Sequence, residues 1–237
     1  MYSYQNYHPS LPGPGKFERL QTRIRESKLF QKEWSKEIFK RRNKGRLYVA
    51  LYRGPDRNQV FAGREPEDPD IIGPVEDPDE RKYTWCFLVG PKHEPRHLAV
   101  PGTRLAVTRD SWHGRWIMQR NYEVNVKNTG SRMLVRVAVG KIVDLQRMWN
   151  VLYAVPVHEW TWAYRNKAWL TEALMRLKDS IADGVMAPCS QLDWMDVQNA
   201  TVSFAERFER EGRFEGVDDI NVPKPAWDLM EGRYLYE

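Results

Sequence analysis

Tyr83-Thr84-Trp85-Cys86-Phe87-Leu88-Val89 carries no charge, is rich in aromatic side chains and stops at Gly90-Pro91. Such a run predicts a buried strand, because bulky and branched side chains suit a pleated surface and Gly-Pro ends it. On its N-terminal side, Leu47-Tyr48-Val49-Ala50-Leu51-Tyr52 reads the same way and ends at Gly54-Pro55. On its C-terminal side, weaker strands are expected at 103–108 and 115–124, and a fifth begins at Met133 and runs toward Val143. The apolar period then changes from two to between three and four. Asp144 can cap a helix whose Leu145, Met148, Trp149 and Leu152 share one face, with Pro156 marking its end. Tyr164-Arg165-Asn166-Lys167-Ala168-Trp169-Leu170 opens a second, amphipathic helix from about 166 to 182. Its Trp169, Leu170, Ala173, Leu174, Leu177 and Ile181 are expected inside, with Gly184 as terminator. A third helix is expected over roughly 194–209, before a segment rich in Pro, Trp and Tyr. Strands followed by helices, with no internal repeat, predict an α+β domain: a mostly antiparallel sheet with packed helices.

The charge is distributed unevenly along the 237 residues. From Lys16 to Lys44 there are eleven Lys or Arg against four Glu, so the net +5 of the chain belongs to this segment and the remainder is slightly acidic. Phe17, Leu20, Ile24, Phe30, Trp34 and Ile38 recur mostly at helical steps, which predicts a long amphipathic helix within a basic segment 16–44. That helix either packs on the domain or meets nucleic acid, an acidic partner or an anionic membrane. Residues 1–15, punctuated by Pro and Gly, read as a flexible leader, and 45–237 as a single domain. Between Glu65 and Glu80 lie eight carboxylates, no basic residue and four prolines, so 64–81 reads as an acidic, solvated loop.

Two cysteines, Cys86 and Cys189, make no zinc or disulfide pattern and suggest a reducing compartment. No apolar run reaches the roughly 20 residues of a membrane span, and the first residues lack the apolar core of a signal peptide. The expectation is a soluble intracellular protein, cytoplasmic or nuclear. Metal and cofactor motifs are also missing. His93 and His97 are separated by Pro95, and Asp193, Asp196, Asp218 and Asp219 lack calcium-loop spacing. No phosphate-binding Gly-Lys-Ser/Thr loop and no Gly-x-Ser-x-Gly elbow occurs.

Over residues 46–215, the succession Arg46-Leu47-Tyr48-Val49-Ala50-Leu51-Tyr52, Trp85-Cys86-Phe87-Leu88-Val89-Gly90-Pro91-Lys92, Leu134-Val135-Arg136-Val137, Trp169-Leu170-Thr171-Glu172-Ala173-Leu174 and Gly212-Arg213-Phe214 resembles an uncharacterised fungal protein family. Its members commonly carry a His-Trp pair on the strand and Trp-Asn-Cys-Arg-x-Trp at the helix start. That order is similar to permuted papain-like proteins such as lecithin retinol acyltransferase and the PPPDE peptidases. The resemblance implies a cysteine activated at a helix N-terminus and a histidine that takes its proton. Here those positions are Asn166 and Thr84, neither of which can do that work. Thiol chemistry of the usual kind is therefore not expected. A swapped dyad of Cys86 with His158 is conceivable, because Cys86 and Thr84 share a strand face.

The resemblance thus implies a catalytically degenerate papain-like domain with no catalytic residues. It would bind a small molecule, peptide or protein through Thr84, Trp85, Cys86, Tyr164, Asn166 and Trp169. Two other readings stand beside it: an enzyme of non-thiol chemistry assisting a fungal biosynthetic pathway, and a module binding nucleic acid or an acidic partner through residues 16–44.

Overall fold

A computed structural model of the chain describes residues 45–54, 82–95, 97–110, 115–157, 166–214 and 222–236. The leader, the basic helix and the acidic loop expected from the sequence lie outside those residues. Strand β1 (Gly45–Arg53) is the axis of the fold. It pairs antiparallel with β2 (Tyr83–Pro91) over its whole length, from Gly45 opposite Pro91 to Arg53 opposite Tyr83. On its other side it pairs antiparallel with β5 (Met133–Lys141). Strands β3 (Gly102–Arg109) and β4 (Trp116–Glu123) extend the sheet beyond β2. Two short strands, β6 (Ala226–Asp228) and β7 (Arg233–Tyr236), extend it beyond β5. The order is β4-β3-β2-β1-β5-β6-β7, with the β5–β6 pair parallel and all others antiparallel.

Leu47 through Leu51 are all fully buried, without the alternation of a half-exposed strand. A strand of that kind needs cover on both faces. On one face the cover is helical: α1 (Leu145–Tyr153), α2 (Asn166–Asp179) and α3 (Trp194–Arg210). Helix α2 lies against β2 and β3, α3 against β1 and β5, and α1 against α2. Phe87 meets Trp169 edge-on at 5.9 Å, and Trp85 meets Trp194 at 5.4 Å. Both α1 and α3 start as their sequences suggest. Asp144 accepts from the Arg147 amide and Asp193 from the Met195 amide, each at 3.0 Å. Helix α2 ends at Asp179, earlier than its apolar pattern suggests. There the Ser180 hydroxyl donates to Leu177 O at 2.7 Å and the chain turns toward Gly184 at φ 71°.

The opposite face carries Tyr48, Ala50, Tyr52, Cys86, Leu88, Ala106, Met133 and Ala138, with Met230 and Leu235 packed on them. The final segment, which the sequence marked only by its Pro, Trp and Tyr content, therefore supplies part of the second cover. Its Tyr236 lies there against a buried ion pair. Arg136 reaches both carboxylate oxygens of Glu94, with Nη1 at 2.6 Å from Oε1. Tyr48 donates to Glu94 at 3.0 Å, and the Tyr236 hydroxyl donates to the Glu94 carbonyl at 3.2 Å. The Arg136 guanidinium lies over the Tyr48 ring at 4.7 Å.

Candidate functional site

Because the described helices all pack on one side, the described residues leave part of the other face without cover at β1, β2, β3 and β4. A cavity of about 350 Å³ lies there. Its lining comes from alternate positions of adjacent strands: Tyr52 of β1, Thr84 and Cys86 of β2, Arg104, Ala106 and Thr108 of β3, and Gln119 and Asn121 of β4. The ladder sets these side chains beside one another, with Arg104 opposite Asn121 and Ala106 opposite Gln119. The cavity exists because small side chains, Cys86 and Ala106, occupy its floor where larger ones would fill it. The turn 129–132 forms one wall. There Gly130 adopts φ 135°, a conformation that side-chain-bearing residues rarely take, and its amide donates to Asn128 Oδ1 at 3.0 Å.

One cation dominates the floor. Arg104 Nε donates to Glu123 Oε1 at 2.8 Å, and its guanidinium lies 5.5 Å from the Tyr52 ring centre. Burial works against the Arg104 charge, but Tyr52, Glu123 and Cys86 outweigh it and raise its pKa above the ordinary value. Burial likewise lifts the Glu123 carboxyl above its usual range, against the pull of Arg104. Burial pushes the Cys86 thiol up to about 12, with Arg104 and the Tyr52 hydroxyl only partly opposing it. Burial also keeps Tyr52 a phenol, and its hydroxyl shares a hydrogen bond with Thr129 Oγ1. The Thr108 hydroxyl is buried and has no partner among the described residues. At neutral pH this is a set of neutral hydrogen-bonding groups with the Arg104 guanidinium at the floor and that of Arg132 in the wall. The Cys86 thiol is not an activated nucleophile here, because a thiol with so high a pKa is not a thiolate.

The residues singled out from the sequence divide between the two faces of the sheet. Thr84 and Cys86 line the cavity. Trp85 and Trp169 are almost fully buried on the helical face, where they meet Trp194 and Phe87. Asn166 opens α2 on that helical face, so the sheet stands between it and Thr84. The β2 side chain turned toward the start of α2 is Trp85. The Lys167 ammonium lies 6.0 Å from its ring and 5.8 Å from that of Trp194. Tyr164, His158 and the Trp160–Trp162 pair lie outside the described residues.

Arg104, Tyr52, Thr108, Gln119 and Asn121 form no sequence motif, because β1 contributes one of them and β3 and β4 two each. The available signal was polar residues two or four apart, Arg104 with Thr108 and Gln119 with Asn121, inside runs otherwise readable as strand. A second, wider hollow is lined by Lys92, His93, Glu94, Pro95, Leu235 and Tyr236. Its carboxylate is already taken up by Arg136 and Tyr48. Among the described residues no group of three or more His, Cys, Asp or Glu could hold a metal ion. None of the described helices is long and apolar enough to cross a membrane.

A family of unknown function, DUF6914, matches residues 44–235, a span that contains the three described helices and the described sheet except for the last residue of β7. No curated protein matches the chain, and no solved structure does.

Proposed function

The chain belongs to the DUF6914 family, and we propose that it is a binding or auxiliary module that captures a small molecule in the cavity on the open face of its sheet. The observation that carries this reading is the cavity itself. It has small side chains at the floor, polar side chains converging from four adjacent strands and a buried Thr108 hydroxyl without a partner among the described residues. A buried polar group without a partner costs stability, which a ligand or water offsets. The proposal includes the reading that this is a catalytically degenerate, papain-like domain of fungal type. What supports it is only the order of parts, a buried strand β2 followed by a helix α2 that packs on it, since Thr84 and Asn166 lie on opposite sides of the sheet and form no dyad. The high pKa of Cys86 supports the loss of thiol chemistry. In this reading Thr84 and Cys86 act as cavity walls, and Trp85, Trp169 and Asn166 belong to the scaffold behind them.

The test is an amide NMR screen of the protein against a library of small fragments. Hits are expected to shift the amides of Thr84, Cys86, Ala106 and Thr108 together. They should lose that effect in Ala106→Phe, where the added ring fills the floor. Hits that bind the filled variant undiminished would overturn the reading.

A further inference from the structure

The charge and shape of the cavity narrow what it takes. Among the described residues two guanidinium groups, Arg104 and Arg132, line it and no carboxylate does. Glu123 is engaged with Arg104 Nε at 2.8 Å, so the lining keeps an excess of about one positive charge. A monoanion balances that excess, whereas a phosphate dianion leaves negative charge in a partly desolvated site. Phosphate sites also draw on helix N-termini, and those of α2 and α3 lie across the sheet. A guanidinium has five N–H groups, of which Glu123 takes one, and its planar fork matches a planar carboxylate. Around it the floor is apolar at Ala106 and at the neutral Cys86 thiol, and Tyr52 supplies an aromatic wall. Gln119 and Asn121 supply neutral hydrogen-bonding groups at the rim.

We propose that the ligand is a small monocarboxylate, its carboxylate seated on the Arg104 guanidinium and its body over Cys86 and Ala106. This rests on the cavity being a binding site, and the experiment separates the two statements. Benzoate, benzamide, succinate, succinamide and inorganic phosphate are titrated into the full chain and followed by amide NMR. Benzoate is expected to bind at the β3 and β4 amides around Arg104, and benzamide about ten- to a hundredfold more weakly. Phosphate and the doubly charged succinate should bind less well than benzoate. Arg104→Gln should remove the preference of acid over amide while Arg104→Lys keeps part of it. Glu123→Gln should tighten benzoate several-fold by freeing Arg104 Nε, a gain that a purely structural role for Arg104 would not give.

If benzamide binds as well as benzoate, or phosphate binds better, the carboxylate assignment falls and the cavity reading stands. If neither acid binds while neutral fragments still occupy the cavity, the assignment falls in the same way. If nothing binds the cavity, both statements fall.

Discussion

At the scale of single residues, the neighbours of Cys86 and Glu123 decide their behaviour. Cys86 is enclosed beside Tyr52 and Arg104, with its thiol pushed up to about 12, whereas Cys189 is exposed. Iodoacetamide at mildly alkaline pH is therefore expected to alkylate Cys189 in the folded protein and to reach Cys86 only after denaturation. Peptide mass mapping checks this, and prompt labelling of Cys86 would contradict the burial. Glu123 gives a second prediction. Burial holds its folded-state pKa above the value it has unfolded, so its ionisation works against the fold. That contribution to stability is largest below the unfolded pKa and fades as pH rises through the folded one. Glu123→Gln should therefore flatten the pH dependence of unfolding across the range just above the ordinary carboxyl pKa, measured by urea denaturation at several pH values. Neither environment was legible in the sequence. The partners Arg104, Tyr52 and Glu123 lie on strands far apart in the chain, and only the register brings them to Cys86.

At the scale of elements, sequence reading went far because periodicity carries the information. The run Tyr83–Val89 and the capped start of α1 at Asp144 can be read directly from side-chain type and spacing. Strands β6 and β7 could not be, because elements of three and four residues are too short to show a period. The candidate site was half legible. Alternation along β2 correctly put Thr84 with Cys86. It also sends Trp85 to the other face, which separates Trp85 and Trp169 from the cavity. Trp169 is then a core residue, lodged against Phe87. Trp169→Ala is expected to cost about 3–5 kcal/mol of stability. At temperatures where the variant remains folded, fragment binding at the cavity should be unchanged. Equilibrium denaturation and NMR titration on the same sample check both halves, and a selective loss of binding would return Trp169 to the site.

At the scale of the whole molecule, the Arg136–Glu94 pair ties the sheet, the loop after β2 and the last strand together. Glu94→Ala leaves the fully buried Arg136 charge without its partner and should cost about 3–5 kcal/mol. Replacing both residues by methionine should recover much of that loss, because two desolvated charges then disappear together. Chemical denaturation of the single and double variants decides it. That pair also bears on how the protein comes to be folded. The Tyr236 hydroxyl reaches a carbonyl 142 positions earlier in the chain, and the β6–β7 hairpin joins the sheet through the parallel pairing of β6 with β5. Contacts of such sequence separation form late, since the chain entropy lost in closing them must be offset by contacts already in place. During synthesis, residues 45–141 could assemble their antiparallel hairpins while Met133, Leu88 and Tyr48 still lacked their final cover. The part of the sheet around Tyr48, Leu88 and Met133 would then be exposed until 222–236 emerged, which is the interval in which a chaperone has most to contribute.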